Sequence, residues 1–80
     1  MQEKPVNFES AEARTKWIID HADYFVACRL LDRKRERHEA QTLDGARLYA
    51  KLMLSVNPKP CLIYAVNGVN DTYVETVKGE

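Results

Sequence analysis

The chain has 80 residues, with 12 basic and 12 acidic side chains and a formal net charge of zero, and 45% of its residues are hydrophobic. This length supports one domain, and the apolar fraction, with only 3 glycines and 3 prolines, excludes intrinsic disorder and collagen-like sequence. No apolar run reaches the roughly 18 residues that cross a bilayer, and the first residues lack the basic and apolar segments of a signal peptide. We therefore expect a cytoplasmic protein with no membrane partner.

The N-terminal part predicts a short arm followed by a helix. Residues 1–7 are mostly polar around one proline and predict a flexible arm, and residues 8–80 predict a single α+β domain. From Phe8 to Ala22, small and apolar residues recur at three- and four-residue spacing, which is typical of one face of a helix. Ser10 is placed to cap the start of this helix.

A strand pattern follows the first helix. Tyr24 to Leu31 is a nearly continuous run of β-prone residues. Its period of two puts four residues on one face, namely Tyr24, Val26, Cys28 and Leu30. Asp32-Arg33-Lys34 can reverse the chain, and Arg35 to Gln41 then predicts a very polar second strand. Charges along a strand discourage pairing with other chains, so this strand is expected at a sheet edge.

The second half predicts a helix and another hairpin. Thr42 is the expected N-cap of a helix over Leu43 to Val56, which Asn57-Pro58-Lys59-Pro60 ends. Cys61 to Val66 is apolar throughout, as expected of a central strand covered at least partly on both sides. Asn67 to Asp71 supplies turn residues.

The last predicted strand, Thr72 to Val77, alternates Tyr73, Glu75 and Val77 against Thr72, Val74 and Thr76. Two hairpins separated by a helix predict the order α-β-β-α-β-β, with a four-stranded, mostly antiparallel sheet and the second helix packed on one face. The position of the first helix stays open. The three alternatives are that it flanks the second helix, that it covers the other sheet face, and that it mediates self-association.

The strongest local feature is the basic segment from Arg29 to His38. Its ten residues include five basic and two acidic side chains, so it has a charge of +3 and the other 70 residues sum to −3. The alternatives are a solvated edge, a site for an acidic protein partner, or a site for nucleic acid. The interleaved Asp32, Glu36 and Glu39 would weaken a surface that binds phosphates. The candidate partner-binding residues are Arg29, Arg33, Lys34, Arg35, Arg37 and Trp17.

Trp17 is a candidate because of its place on the first helix. At 100° per residue it lies about 150° from the centre of the apolar face, on the same side as Arg14 and His21. An exposed tryptophan beside these residues would be an anchor for a partner. The alternative is that Trp17 fills a second contact inside the same chain.

No residue pattern indicates catalysis, a metal or a cofactor. His21 and His38 have no spacing to cysteines or carboxylates that is typical of structural zinc. Cys28 and Cys61 are too far apart for a Cys-x-x-Cys motif, and their places inside predicted strands indicate buried structural thiols. We therefore predict a protein that is not an enzyme, without catalytic residues, metal or cofactor.

The tyrosines are spread over the predicted elements, and most are expected at core margins with their hydroxyls in water. Tyr64 and Tyr73 allow a second interpretation. If both lie on a sheet face that Leu43 to Val56 does not cover, they would form an aromatic platform of the kind that binds single-stranded nucleic acid.

Three segments and the strand before them carry a resemblance to known proteins: Ala40-Gln41-Thr42-Leu43, Asp44-Gly45-Ala46-Arg47-Leu48-Tyr49-Ala50 and Pro60-Cys61-Leu62-Ile63-Tyr64-Ala65-Val66-Asn67-Gly68. Over residues 24–77 this pattern of topology and turns resembles small ββαββ proteins of phages and bacterial mobile elements. Some of these, among them anti-CRISPR inhibitors, occupy a site on a host nucleoprotein complex. The resemblance implies no catalytic residues. Many inhibitors that mimic nucleic acid are strongly acidic, whereas this chain is neutral, so mimicry of DNA by the whole surface is not expected.

These observations predict a non-enzymatic binding protein, an inhibitor from a phage or mobile element that occludes a site on a host protein or nucleoprotein complex through the basic hairpin. The alternative is a small DNA- or RNA-binding accessory module that uses the same hairpin. A third class is a self-associating protein that pairs through the first helix or the Thr72 to Val77 edge. Monomer and homodimer therefore both stay open.

Overall fold

The structure is a computed structural model that describes residues 10–79. Its elements are α1 (Ala11–Asp20), β1 (Tyr24–Leu31), β2 (Lys34–Ala40), α2 (Leu43–Val56), β3 (Cys61–Asn67) and β4 (Asn70–Val77). The strands form one antiparallel sheet in the order β2-β1-β3-β4. The predicted α+β class and element order are therefore confirmed. The predicted N-terminal arm and Phe8 lie outside the described residues.

Helix α1 begins where the sequence predicts but is shorter. The Ser10 hydroxyl accepts a hydrogen bond from the Ala13 N–H at 3.1 Å, which confirms the predicted N-cap. The helix ends at Asp20 rather than at Ala22, because the chain turns at His21 to join the sheet. The side-chain amide of Asn67 donates to the His21 carbonyl at 2.6 Å and holds this turn against the end of β3.

Helix α2 has the predicted bounds and lies over the middle of the sheet. The Thr42 hydroxyl accepts a hydrogen bond from the Gly45 N–H at 3.0 Å at its start. Its buried side consists of Ala46, Ala50 and Met53. Two of these three residues are alanine, so the helix backbone comes close to the strands beneath it.

Both helices pack on the same face of the sheet. Helix α2 contacts all the strands, and α1 lies beside it against β3 and β4. The core between the two layers contains Ile18, Phe25, Ala27, Ala46, Ala50, Met53, Cys61, Ile63 and Ala65. Of the positions that the sequence left open for the first helix, the structure therefore selects the one beside α2. Within residues 10–79, no helix lies over the opposite face of the sheet, which we call the open face.

The first hairpin closes with a two-residue turn. Asp32 and Arg33 have positive φ values of 45° and 71°, the backbone geometry that matches the twist of the strands on either side. Neither residue is glycine, so the turn carries some backbone strain. Lys34, which the sequence placed in the turn, already pairs with Leu31 as the first residue of β2.

The second hairpin is also tighter than predicted. Gly68 has a φ of 61° at the first central position of a two-residue turn, where glycine adopts this geometry without a steric penalty. The Gly68 N–H donates to the Asp23 carboxylate at 2.9 Å, so the turn is tied to the residue that precedes β1. Asn70 and Asp71, predicted as turn residues, therefore belong to β4.

Strand β4 contains a bulge that the sequence pattern did not predict. Ile63 pairs with Glu75 but the next residue, Tyr64, pairs with Tyr73, so Val74 is an extra residue in β4. The predicted strict alternation along this strand is therefore wrong. Tyr73 lies on the open face and Glu75 on the helix face, because the extra residue changes the parity between them.

Candidate functional site

The open face is the side of the sheet that neither α1 nor α2 covers. By register its residues are Tyr24, Val26, Cys28 and Leu30 on β1, Arg35, Arg37 and Glu39 on β2, Leu62, Tyr64 and Val66 on β3, and Asp71, Tyr73 and Thr76 on β4. The four β1 residues that the sequence placed on one face thus face away from the helices. The helices cover one side of β3, and on its other side Leu62, Tyr64 and Val66 are half-buried, which agrees with the expectation that this strand is covered at least partly on both sides.

A depression of about 370 Å³ lies in the middle of the open face. Its apolar lining includes Val26, Leu62 and Tyr64, and arginines from β2 stand at one side of it. Val26 is only 4% exposed although it lies on the side of the sheet opposite α1 and α2. An apolar centre with arginine and tyrosine around it has the composition of protein-binding surfaces.

Arg35 and Arg37 are the two predicted basic residues that lie on the open face. They pair across the sheet with Leu30 and Cys28. The Arg37 guanidinium donates to the Glu39 carboxylate at 2.6 Å, and this hydrogen bond raises the pKa of Arg37. Within residues 10–79, no carboxylate forms an ion pair with Arg35. The Arg35 guanidinium is therefore available to an acidic group from outside the described chain.

Arg29 is among the residues that line the depression, but its side chain points to the helix side of β1 and is only 1% exposed. Its Nε donates to Glu36 at 2.6 Å and its Nη2 to the Met53 carbonyl at 2.7 Å. Its Nη1 donates to the carbonyls of Asn57 and Lys59 at 2.6 and 2.8 Å. The guanidinium thus caps the C-terminal end of α2 and is not exposed to a partner. The period of two indicates this position, since it places Arg29 on the same side of β1 as Phe25 and Ala27, which belong to the core.

The other two basic residues of the hairpin lie away from the depression. Arg33 is in the turn, and Lys34 is exposed on the helix side of β2. The antiparallel register brings the start of β3 and the end of β4 to the same end of the sheet as this turn. Lys59, just before β3, and Lys78, just after β4, therefore lie at that end. The acidic Asp71 lies at the opposite end. The open face therefore has a positive end beside the hairpin, which favours the approach of acidic ligands there.

Trp17 is not part of this basic surface. It is half-buried on α1, where it packs against the core on the helix side of the sheet. The His21 ring stacks on the indole with ring centroids 4.4 Å apart, and His21 Nδ1 lies 2.9 Å from the Trp17 carbonyl oxygen. Trp17 therefore makes a contact within the chain, which was the alternative interpretation of its position.

Tyr64 and Tyr73 both lie on the open face, so they meet the geometric condition for an aromatic platform. They are directly paired across β3 and β4, with ring centroids 6.0 Å apart and an interplanar angle of 75°. The Tyr73 hydroxyl forms a hydrogen bond with the Thr76 hydroxyl at 2.5 Å. Without the bulge at Val74, the residue opposite Tyr64 would be valine. Sequence periodicity could not locate this pair, because it assumes an unbroken strand.

The two cysteines lie on adjacent strands but on opposite faces. Cys28 pairs with Leu62, whose neighbour Cys61 points to the helix side. Cys61 is fully buried, as predicted, whereas Cys28 is half-buried on the open face. Burial raises the pKa of both thiols, and the nearby arginines of β2 partly offset this increase at Cys28.

Alkylation of the folded protein should therefore modify Cys28 and leave Cys61 unmodified. Because the raised pKa keeps the Cys28 thiol protonated near neutral pH, the reaction should be slower than that of a free cysteine and should accelerate as the pH rises. Mass spectrometry after treatment with iodoacetamide over a pH series measures both effects. Equal modification of the two cysteines in the folded protein would contradict the assignment of Cys61 to the core.

Within residues 10–79, no group of three or more histidine, cysteine or acidic side chains is arranged to hold a metal ion. No helix in that part of the chain is long and apolar enough to cross a membrane. Comparison of the chain with protein-family models, curated proteins and solved structures found no match. The resemblance to phage and mobile-element proteins therefore stays a prediction.

Proposed function

We propose that this chain is a non-enzymatic binding protein that receives an acidic segment of a partner protein on its open face. The observation that carries this proposal is the position of Arg35 and Arg37, beside an apolar depression on the sheet face opposite α1 and α2. The depression would bury apolar side chains of the partner, and the arginines would pair with its carboxylates. Such a protein acts by occupying a surface, so it needs no catalytic residue.

The edges of the sheet are less suited to a partner than its face. Strand β2 is charged or polar at nearly every position, and charges along an edge strand disfavour the addition of another strand. Strand β4, at the other edge, is interrupted by the bulge at Val74. A partner is therefore expected to lie across the side chains of the open face.

Arginine is well suited to the proposed partner. Its planar guanidinium can form two parallel hydrogen bonds with one carboxylate, which lysine cannot do. Arg35 has no competing ion pair within the described residues, and Arg37 could exchange Glu39 for a carboxylate of the partner. Inhibition of a host protein or nucleoprotein complex, the function that the resemblance implies, would follow if the occupied segment belongs to a functional surface of that complex.

The proposal predicts that the variant Arg35→Glu/Arg37→Glu loses its partner while it keeps its fold. The wild type and this variant are used as baits in a nuclease-treated bacterial lysate, and melting temperatures are compared. We expect a captured protein that withstands nuclease with the wild type and disappears with the variant. Binding that survives the double charge reversal would show that the proposed site is wrong.

The hairpin itself offers a matched control, Arg33→Glu/Lys34→Glu. It makes the same change in net charge on the same hairpin, but at positions that do not lie on the open face. We expect this variant to retain the partner. If both variants lose it equally, the overall charge of the hairpin rather than the open face would be responsible.

Single-stranded nucleic acid is a second candidate ligand, favoured by the Tyr64–Tyr73 pair beside the same arginines. Stacking of a base on an aromatic side chain contributes about 1–3 kcal/mol, and contacts with phosphates make the affinity fall steeply with salt. A titration with a labelled oligonucleotide at several salt concentrations, with Tyr64→Ala and Tyr73→Ala, tests this candidate. Nuclease-sensitive capture together with weaker oligonucleotide binding by these variants would place nucleic acid first.

A further inference from the structure

The outer side of α2 carries an apolar stripe that the proposed function does not use. Leu48, Leu52 and Val56 are 60%, 55% and 83% exposed and recur every four residues along the helix. This spacing places them on one side of the helix, away from its buried alanines. Tyr49 lies beside the stripe and stacks on His38 of β2. A helix that contacts only the sheet would be expected to have polar residues along this side.

Charged residues of opposite sign border the stripe at its two ends. Asp44 lies one turn before Leu48, and its side chain is 94% exposed. Its carboxylate is 3.5 Å from the Arg47 guanidinium, which Glu75 binds more closely at 2.8 and 3.1 Å, so these three side chains together keep one negative charge. Lys51 is exposed next to Leu52, in the second half of the helix. The stripe is therefore acidic near the start of α2 and basic nearer its end.

We propose that the stripe binds a second copy of this chain, with the two α2 helices packed antiparallel about a two-fold axis near Leu48. In this arrangement Asp44 of each copy lies level with Leu52 of the other and close to its Lys51. The helix dipoles also run in opposite directions, which is favourable. A parallel pair would instead place Asp44 beside Asp44 and Lys51 beside Lys51.

The dimer would leave the open faces free. Helix α2 lies on the side of the sheet opposite the open face, so the two open faces of the dimer point away from each other. Such a dimer could hold two partner molecules, or two sites on one partner, with a gain in avidity. The inference rests on α2 alone and holds whether or not the open face binds a protein.

The charge pattern provides a direct test by sedimentation equilibrium over a wide concentration range. We expect the wild type to change from monomer to dimer, and Asp44→Lys or Lys51→Asp each to raise the dimer dissociation constant about tenfold or more. The double variant Asp44→Lys/Lys51→Asp should bring it back close to the wild-type value, because the exchanged charges again face each other. A wild type that stays monomeric at all concentrations would overturn the proposal, and so would a double variant weaker than both single variants.

Two leucine variants locate the interface. Leu48→Gln/Leu52→Gln should abolish the dimer. At concentrations where the wild type is monomeric it should leave the melting temperature nearly unchanged, because both side chains are exposed in the folded monomer. Leu30→Gln, which changes an exposed leucine on the open face, should leave the dimer intact. Loss of the dimer with Leu30→Gln alone would place the contact on the open face and overturn the proposal. A monomeric wild type whose captured partner is lost with Leu48→Gln/Leu52→Gln would assign the stripe to another protein instead.

Discussion

Replacement of Arg29 by methionine should lower the free energy of unfolding by about 2–4 kcal/mol, because it removes the hydrogen bonds of a buried charged side chain. Methionine fills a similar length but donates no hydrogen bond. The carbonyls of Asn57 and Lys59 would lose their donor, and Glu36 would lose its cation. The Glu36 side chain is 36% exposed, so water would partly compensate, and the expected loss is smaller than for a fully buried pair.

Urea unfolding followed by circular dichroism measures this loss. Arg29→Lys should restore only part of the stability. The compact ammonium of lysine cannot reach all four acceptors of the guanidinium, which are the Glu36 carboxylate and the carbonyls of Met53, Asn57 and Lys59. The control is Arg35→Met, the same substitution at an exposed position across the hairpin, which should leave stability nearly unchanged. Equal stability of the Arg29→Met variant and the wild type would mean that the guanidinium contributes nothing to the end of α2.

Truncation of Ile18 to alanine should cost about 2–4 kcal/mol, because it leaves a cavity between α1 and the sheet. Ile18 is 1% exposed and is the fully buried side chain of α1 within the described residues. Thr15 and Ile19 are only half-buried, and the Thr15 hydroxyl forms a hydrogen bond with the Thr72 hydroxyl at 3.1 Å. The substitution should therefore weaken the attachment of the whole helix.

The adjacent Ile19 provides a matched control, since Ile19→Ala removes the same atoms from the same helix at a half-buried position. We expect a clearly smaller loss of stability for Ile19→Ala in the same urea titrations. In hydrogen-exchange measurements, Ile18→Ala should accelerate the exchange of the α1 amides more than the exchange of the sheet amides. A loss of stability for Ile19→Ala as large as that for Ile18→Ala would contradict the packing of α1 that the structure describes.

Arg29 also connects the stability of the fold to the proposed binding surface. Its guanidinium joins β1, the Glu36 side chain of β2 and the C-terminal end of α2. It thereby holds the edge strand that presents Arg35 and Arg37. The basic segment thus contains residues with different roles, although they look alike in the sequence.

Much of the local structure follows from the sequence by itself. Ser10 and Thr42 mark the starts of the two helices, and Pro58 lies just beyond the end of the second. Capping and the exclusion of proline from helix interiors depend on neighbours within a few residues, so the sequence is sufficient to predict them. The order of elements and the antiparallel pairing within each hairpin follow in the same way, because the turns are short.

The proposed binding surface required information that only the tertiary structure contains. Period two separates Arg29 from the other hairpin arginines, but which side of the sheet the helices cover depends on the packing of both α1 and α2. The bulge at Val74 brings Tyr73 opposite Tyr64, and it arises from pairing with β3 rather than from any local preference of β4. Trp17 likewise lies in a contact that α1 makes only once it is docked.

The sequence by itself therefore determined the helices, the strands and the basic hairpin, because each depends on interactions between residues that are close in the chain. The tertiary structure decided that both helices share one face and that Arg29 is buried while Arg35 and Arg37 are exposed. It also left an apolar depression on the open face and an apolar stripe on α2 exposed within residues 10–79. These outcomes depend on contacts between residues far apart in the chain, whose free energies come from burial and register rather than from local conformational preference.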